Sequence, residues 1–343
     1  MSLLSAITRP SRAKRDRAGR RLSQPLVVAH RGASGYRPEH TLAAYQLAME
    51  MGADFVEPDL VSTKDGVLVA RHESEISGTT DVALHPAFAS RFTLKVVDGR
   101  LVRGWFTEDF TLDELKSLRA KERMPRVRPR SKKYDGLFDI PTFEEVLDLV
   151  ERQSRHRGEV IGVCPEIKQP SYFESLGLPL EIPLVASLDR HHLNRPNARV
   201  LVQSFERECL RRLRQSVRVP LVQLVGVGGP SYDLLTSAGL EEIATYADAL
   251  GAAKDMVLPR DREGQLTRPS GLVDLAHAAG FGVLVWTLRD ENQFMAADFR
   301  SGRGAKRKGH ALAEYAAFFD AGVDGVFTDN TDTALRARET WAG

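Results

Sequence analysis

Two hydrophobic patterns alternate along most of the chain. Short runs rich in Val, Ile and Leu occur at 26–29, 54–61, 160–167, 199–203, 220–225, 247–252, 281–287 and 323–327. Such runs suit strands buried on both faces, as in a parallel sheet covered by helices. Helical spacing of apolar residues fills the intervals at 40–51, 141–153, 180–190, 206–215, 238–246, 270–279, 311–321 and 331–340. Thr142 stands before FEEVLDLVER with Glu145 three residues on, which predicts a capping box. Gly280 and Gly322 stand where helices should stop. This alternation predicts a closed (β/α)8 barrel, with an open doubly wound sheet as the competing arrangement.

Residues 76–137 break the rhythm, with one expected helix at 111–121 and then a basic stretch from Arg119 to Lys133 broken by Pro125 and Pro129. They read as an insertion packed beside the barrel mouth. A second basic stretch, RSGRGAKRK at 300–308, carries Gly302 and Gly304, which argue for a loop. Clustered cations there would either steer anionic substrates or form an ordinary solvated surface.

The bulk properties narrow the function classes. The 343 residues carry a formal net charge of +2, which gives no ground for a nucleic-acid partner. Two distant cysteines, Cys164 and Cys209, are no disulfide framework and suit a reducing compartment. No apolar stretch is long enough for a transmembrane segment, and the basic N-terminus lacks the apolar core of a signal peptide. A cytoplasmic location is expected, with residues 1–24 as a disordered basic tail and 25–343 as one domain.

Candidate chemistry collects at the ends of the predicted strands. LVVAH ends in His30 and Arg31, an acid or base beside a bidentate phosphate clamp. Taken singly, a histidine after a strand is more often structural. Glu57 and Asp59 are two residues apart on a strand, so both side chains share a face. Paired carboxylates inside a barrel repel unless a hard cation or basic groups neutralise them. GVLVARHE ends at a second histidine, His72, and the third strand places Glu166 and Lys168 on one face. Gln203 and Trp286 end the fourth and seventh strands as a hydrogen-bonding group and a pocket wall, although a strand-end aromatic is as often core.

The stretch AHRGASGYRPEHTLAAYQLAMEMGADFVEPDLVSTKDGVLVARHE, with PEIK at 165–168, resembles the signature region of glycerophosphodiester phosphodiesterases. Weaker likeness extends through TFEEVLDLV, VQSF and GVDGVFTDN, covering nearly all of 25–335. The resemblance implies a TIM barrel with an inserted region after the second strand. It implies hydrolysis of small glycerophosphodiesters to glycerol 3-phosphate and an alcohol with one divalent cation, Ca2+ or Mg2+. By position it makes His30 and His72 the acid/base pair and Glu57, Asp59 and Glu166 the metal ligands. Arg31 and Lys168 then contact phosphate, Gln203 contacts substrate, and Glu39 supports the site. Pro58 between the carboxylates and Glu73 after His72 depart from the commonest pattern. Lysophospholipase D action on a longer lipid is the alternative within the family, with Phe88, Phe92, Trp105, Phe106 and Phe110 as candidates for an apolar channel. A non-catalytic phosphate-ligand binder is the alternative outside catalysis.

Overall fold

The first apolar run forms the strand Leu26–His30, buried at every residue. It pairs in parallel with Phe55–Glu57 on one edge and with Gly325–Thr328 on the other. A strand flanked on both edges and covered on both faces has no use for polar alternation. The computed structural model describes residues 10–15, 21–228 and 234–342. In it the second strand is interrupted at Pro58 and resumes as Asp59–Ser62. The third is likewise interrupted, as Gly162–Val163 and Glu166–Ile167. Proline has no N–H to give to a ladder, which accounts for breaks at Pro58 and beside Pro165. From the third strand the parallel pairing passes through Val202–Ser204, Leu221–Val225, Ala249–Ala253 and Gly282–Leu288 to Gly325–Thr328. That last pairing returns to the first strand, so the barrel closes and the open sheet is excluded.

Period two along each strand divides two cores. Leu26 and Val28 pack inside the barrel with Phe55, Leu201, Leu284 and Phe327. Val27, Ala29 and Val56 face outward under the helices. Helix Phe143–Arg157 joins the same outer core with Phe143, Val146, Leu147 and Val150, spaced for one helical face, and packs on strand Gly162–Val163. Each such side chain contributes about 1.5–3 kcal/mol on burial. Both bonds of the predicted Thr142–Glu145 capping box are present, and Gly158 ends the helix in a left-handed conformation.

The insertion packs into the outer core through Ile76, Val82, Phe88, Phe110, Leu115 and Leu118. Phe88 and Phe110 meet edge to face at 5.0 Å, and Phe92 packs on Trp105 at 4.5 Å. Of the five aromatics named for an apolar channel, Phe88, Phe106 and Phe110 are buried, Trp105 is half-buried and Phe92 is exposed. The insertion's helix is Leu112–Ser117, shorter than 111–121. An antiparallel hairpin, Thr93–Val97 with Arg100–Gly104, went unread in the sequence. Its signal is Asp98-Gly99, whose φ values of 48° and 71° are those of a tight hairpin turn.

Within the stretch expected to be a tail, Pro10–Arg15 pairs antiparallel with Arg21–Ser23. Residues 1–9 and 16–20 of that stretch lie outside the described residues. No helix among the described residues is long and apolar enough to cross a membrane. Cys164 and Cys209 are free and buried.

Candidate active site

Parallel register assembles the site. His30 lies opposite Glu57 across the first two strands. Asp59, Glu166 and Gln203 form one rung across the second, third and fourth. His30 and Glu57 end their strand segments, and Asp59 and Glu166 follow the proline breaks in theirs, toward the carboxyl side at which barrels carry chemistry. A cleft of about 340 Å3 opens there, lined by His30, Arg31, Glu57, His72, Glu166, Lys168, Gln203 and Trp286. Eight of the ten residues singled out in the sequence thus line one cavity. Asp59 lies behind its wall and Glu39 beneath Arg31.

Ligand atoms of Glu57, Asp59 and Glu166 lie within 4.8 Å of one another, and all three residues are buried. Burial and the neighbouring carboxylates push Glu57 well above its usual range. Burial raises Glu166 to about 8, with Lys168 opposing and Asp59 adding to the rise. Burial acts on Asp59 too, but Lys168, a hydrogen bond from His40 and Arg31 hold it well below the ordinary value. Asp59 Oδ1 and Gln203 Oε1 are buried with no hydrogen-bond partner. Three crowded carboxyls, two of them resisting ionisation in that company, and two buried oxygens without a partner fit a hard divalent cation such as Ca2+ or Mg2+. Lys168 already offsets part of the charge, 2.7 Å from Glu166 and 3.7 Å from Asp59.

Each histidine is backed by a carboxylate. His30 Nδ1 lies 2.6 Å from Asp329 Oδ1. Asp329 is buried, yet Arg289, Arg128 and His30 hold its carboxyl well below the usual range. An ionised Asp329 can only accept, so Nδ1 carries the proton and Nε2 keeps its lone pair. His72 Nδ1 is bonded to Glu73, and about a third of its side chain is exposed. Although burial opposes ionisation, His72 and Arg123 bring Glu73 down to about 2. Burial and Arg31 lower His30 to about 4, and burial with Arg31 and Lys168 lowers His72 to about 3. Both imidazoles are therefore neutral near pH 7.

Arg31 is fixed by its surroundings. Its backbone N–H donates to Glu57 Oε2 at 2.8 Å, and its guanidinium meets Glu39 and Asp59 at 3.2 Å each. It holds a φ of 59°, a conformation costing about 1–2 kcal/mol for a non-glycine residue. Gly32 follows at φ 82°, and a Cβ there would sit 2.6 Å from the Ala44 carbonyl carbon. Gly32→Ala is expected to cost at least about 2 kcal/mol, read as a fall in the urea midpoint.

Sequence reasoning missed the groups that hold the site. His40 is fully buried and bridges Tyr45 and Asp59, at 2.6 and 2.8 Å. The basic stretch 119–133, with a solvated surface among its expected readings, sends two arginines inward. Arg123 grips Glu39 and Glu73, both at 2.7 Å. Arg128 grips Glu291 and Asp329, at 2.7 and 2.6 Å. Nothing in the sequence marks these two apart from their basic neighbours. Asp329 was legible as a carboxylate following the eighth strand. The other basic stretch, 300–308, is largely exposed, with Lys308 paired to Asp290 at 2.8 Å.

The sequence matches the Glycerophosphoryl diester phosphodiesterase family over residues 30–333. The chain belongs to this family. Among its relatives is glycerophosphodiester phosphodiesterase GDPD6 of Arabidopsis thaliana, 35% identical over 341 residues, covering 92% of this chain and 87% of the relative. Glycerophosphodiester phosphodiesterase of Bacillus subtilis is 35% identical over 254 residues, covering 72% and 74%. The barrel superposes on an Oleispira antarctica phosphodiesterase in complex with the product sn-glycerol-3-phosphate. There the TM-score is 0.62 and the identity 22%, over 92% of this chain and 97% of that one. It also matches glycerophosphodiester phosphodiesterase from Agrobacterium tumefaciens, with TM-score 0.57, identity 17% and coverage of 91% and 99%. This family member therefore has the TIM barrel that its strand pattern predicted.

Proposed function

We propose that the chain hydrolyses small glycerophosphodiesters to glycerol 3-phosphate and an alcohol, using His30 and His72 as proton-transfer groups. The observation that carries this reading is the pair of carboxylate-backed imidazoles lining one cleft with Arg31, Lys168, Glu57 and Glu166, with Asp59 clustered behind them. Glu57, Asp59 and Glu166 would hold one divalent cation, with Gln203 Oε1 beside them. When bound, that cation supplies Lewis-acid stabilisation of charge on the phosphate oxygens.

The protein's own groups account for the remaining steps. Arg31 and Lys168 place the phosphodiester and offset negative charge as it builds on phosphorus oxygens. One neutral imidazole accepts a proton at Nε2 from the attacking hydroxyl or water. The other delivers a proton to the leaving alkoxide, having gained it in the substrate complex, where an adjacent phosphate anion raises imidazole basicity. Trp286 forms one wall, its indole N–H held by the Gly251 carbonyl at 2.9 Å. Glu39 supports Arg31 and is matched on its other side by Arg123.

The test is glycerol 3-phosphate release from glycerophosphocholine with Ca2+, with Mg2+ and with chelator. Cation-dependent release is expected, and a folded protein that releases none with either ion removes the reading. A titration adds a second expectation. Glu166 sits at about 8 without a cation, so below that pH an incoming ion must displace its proton. Cation affinity measured by calorimetry should tighten as pH rises toward 8, with protons released on binding. Affinity independent of pH over that interval would remove Glu166 from the ligand set.

A further inference from the structure

A second cleft, of about 640 Å3, adjoins the first and shares His72, Glu166, Lys168 and Phe205 with it. The shared residues include Lys168, which would contact the phosphate, and His72, which would transfer a proton, so a diester centred there extends one arm into each cleft. The smaller cleft ends inside the barrel against Trp286, Thr287 and Phe327 and suits the three-carbon glycerol arm. The larger runs outward between Phe205, Glu206 and the hairpin tip at Asp98. We infer that this larger cleft is the subsite for the leaving alcohol and that it selects alcohols bearing a positive charge, such as quaternary or primary ammonium groups. The inference rests on the proposed hydrolase reading and adds the chemical class of the alcohol.

The charges in the cleft carry the argument. Among the described residues its cations are matched by carboxylates: Lys168 by Glu166, and Arg207 by Glu242 at 3.5 Å. Glu73 is taken by Arg123 and Glu208 by Arg211. Glu206 and Asp98 remain without a cationic partner. Glu206 is built into place, since the Ser171 backbone N–H reaches both its carboxylate oxygens, at 3.3 and 3.2 Å. Asp98 is fixed across the cleft by the Gln169 side-chain amide at 2.8 Å. Phe205, half-buried between the clefts, meets Trp286 edge to face at 5.6 Å and has Lys168 Nζ 5.8 Å from its ring centroid, the geometry in which an aromatic ring attracts an ammonium group. An anionic alcohol arm would meet two unneutralised carboxylates; a neutral one would gain nothing from them.

The experiment compares kcat/KM for glycerophosphocholine with that for glycerophosphoglycerol, in wild type, Glu206→Gln and Asp98→Asn. Glutamine keeps an acceptor for Ser171, and asparagine tolerates the left-handed turn position. Wild type should favour the cationic substrate, and Glu206→Gln should lower that ratio about fivefold. Asp98→Asn should lower it in the same direction. A wild-type ratio near one, or a ratio unchanged in both variants, overturns the subsite. Choline binding, measured by calorimetry with glycerol as control, reads the subsite without turnover. If no diester is hydrolysed but choline binds and Glu206→Gln weakens it, the hydrolase reading fails and the cation subsite stands. If diesters are hydrolysed with no charge preference, the reverse holds.

Discussion

Replacing His30 with alanine lowers kcat/KM for glycerophosphocholine by about 100- to 10,000-fold, the range for loss of a proton-transfer group. The expectation rests on where His30 stands. It ends a barrel strand, its Nδ1 is spent on Asp329, and its Nε2 is left with a lone pair in the cleft that Arg31 and Lys168 also line. A thermal melt checks that the barrel is intact, since His30 sits at the cleft and contributes little to the core. Asp329→Asn separates positioning from chemistry. The amide lets the imidazole turn or take the other tautomer, so turnover should fall with the cation affinity preserved. Near-normal turnover in His30→Ala would remove proton transfer by His30 from the mechanism.

The second large effect comes from Glu57→Gln, and it has opposite signs in activity and in stability. Glu57 is held well above the ordinary carboxyl value by burial and by Asp59 and Glu166. A carboxyl with a raised folded-state value favours folding below its ordinary value and loses that advantage as pH rises toward the folded value. Near pH 7 the wild-type protein in chelator bears that loss, and glutamine does not. The variant should therefore be more stable in chelator by about 1 kcal/mol or more. Glutamine keeps an oxygen for the Arg31 N–H. With a saturating cation the order should reverse. An ion at about a hundredfold over its dissociation constant adds about 2.7 kcal/mol to the wild type alone. Hydrolysis by the variant should fall at least about 100-fold. Paired urea titrations, with and without the ion, check both signs. A variant less stable than wild type in chelator would show that the carboxylates are neutralised by Lys168 and Arg31 without a cation.

The barrel was legible because strands covered on both faces need apolar runs, and the runs at 26–29, 220–225 and 323–327 are of that kind. The Thr142 cap was legible because its chemistry is local. Glu57 and Asp59 were legible because strand period two is indifferent to the break that Pro58 introduces. What escaped was non-local. Arg123 and Arg128 could not be told from their basic neighbours in the insertion because their carboxylate partners are far off in sequence, at Glu39, Glu291 and Asp329. His40 read as part of a helix start, yet it takes a φ of 54° and turns inward to Asp59. The hairpin at 93–104 was locally signalled by Asp98-Gly99 and was overlooked among the insertion's basic residues.

The His30–Asp329 bond spans 299 residues. The strand that ends in His30 is the first of the barrel to leave the ribosome, and the strand before Asp329 is the last. Until that last strand docks, the barrel is open along one seam and His30 lacks the carboxylate that sets its tautomer. Arg128, made midway, is left with one of its two acidic partners missing. On the proposed mechanism a nascent chain therefore lacks a supported His30 until its last barrel strand has been made. The docking of one strand both closes the ring and brings Asp329 to the His30 imidazole.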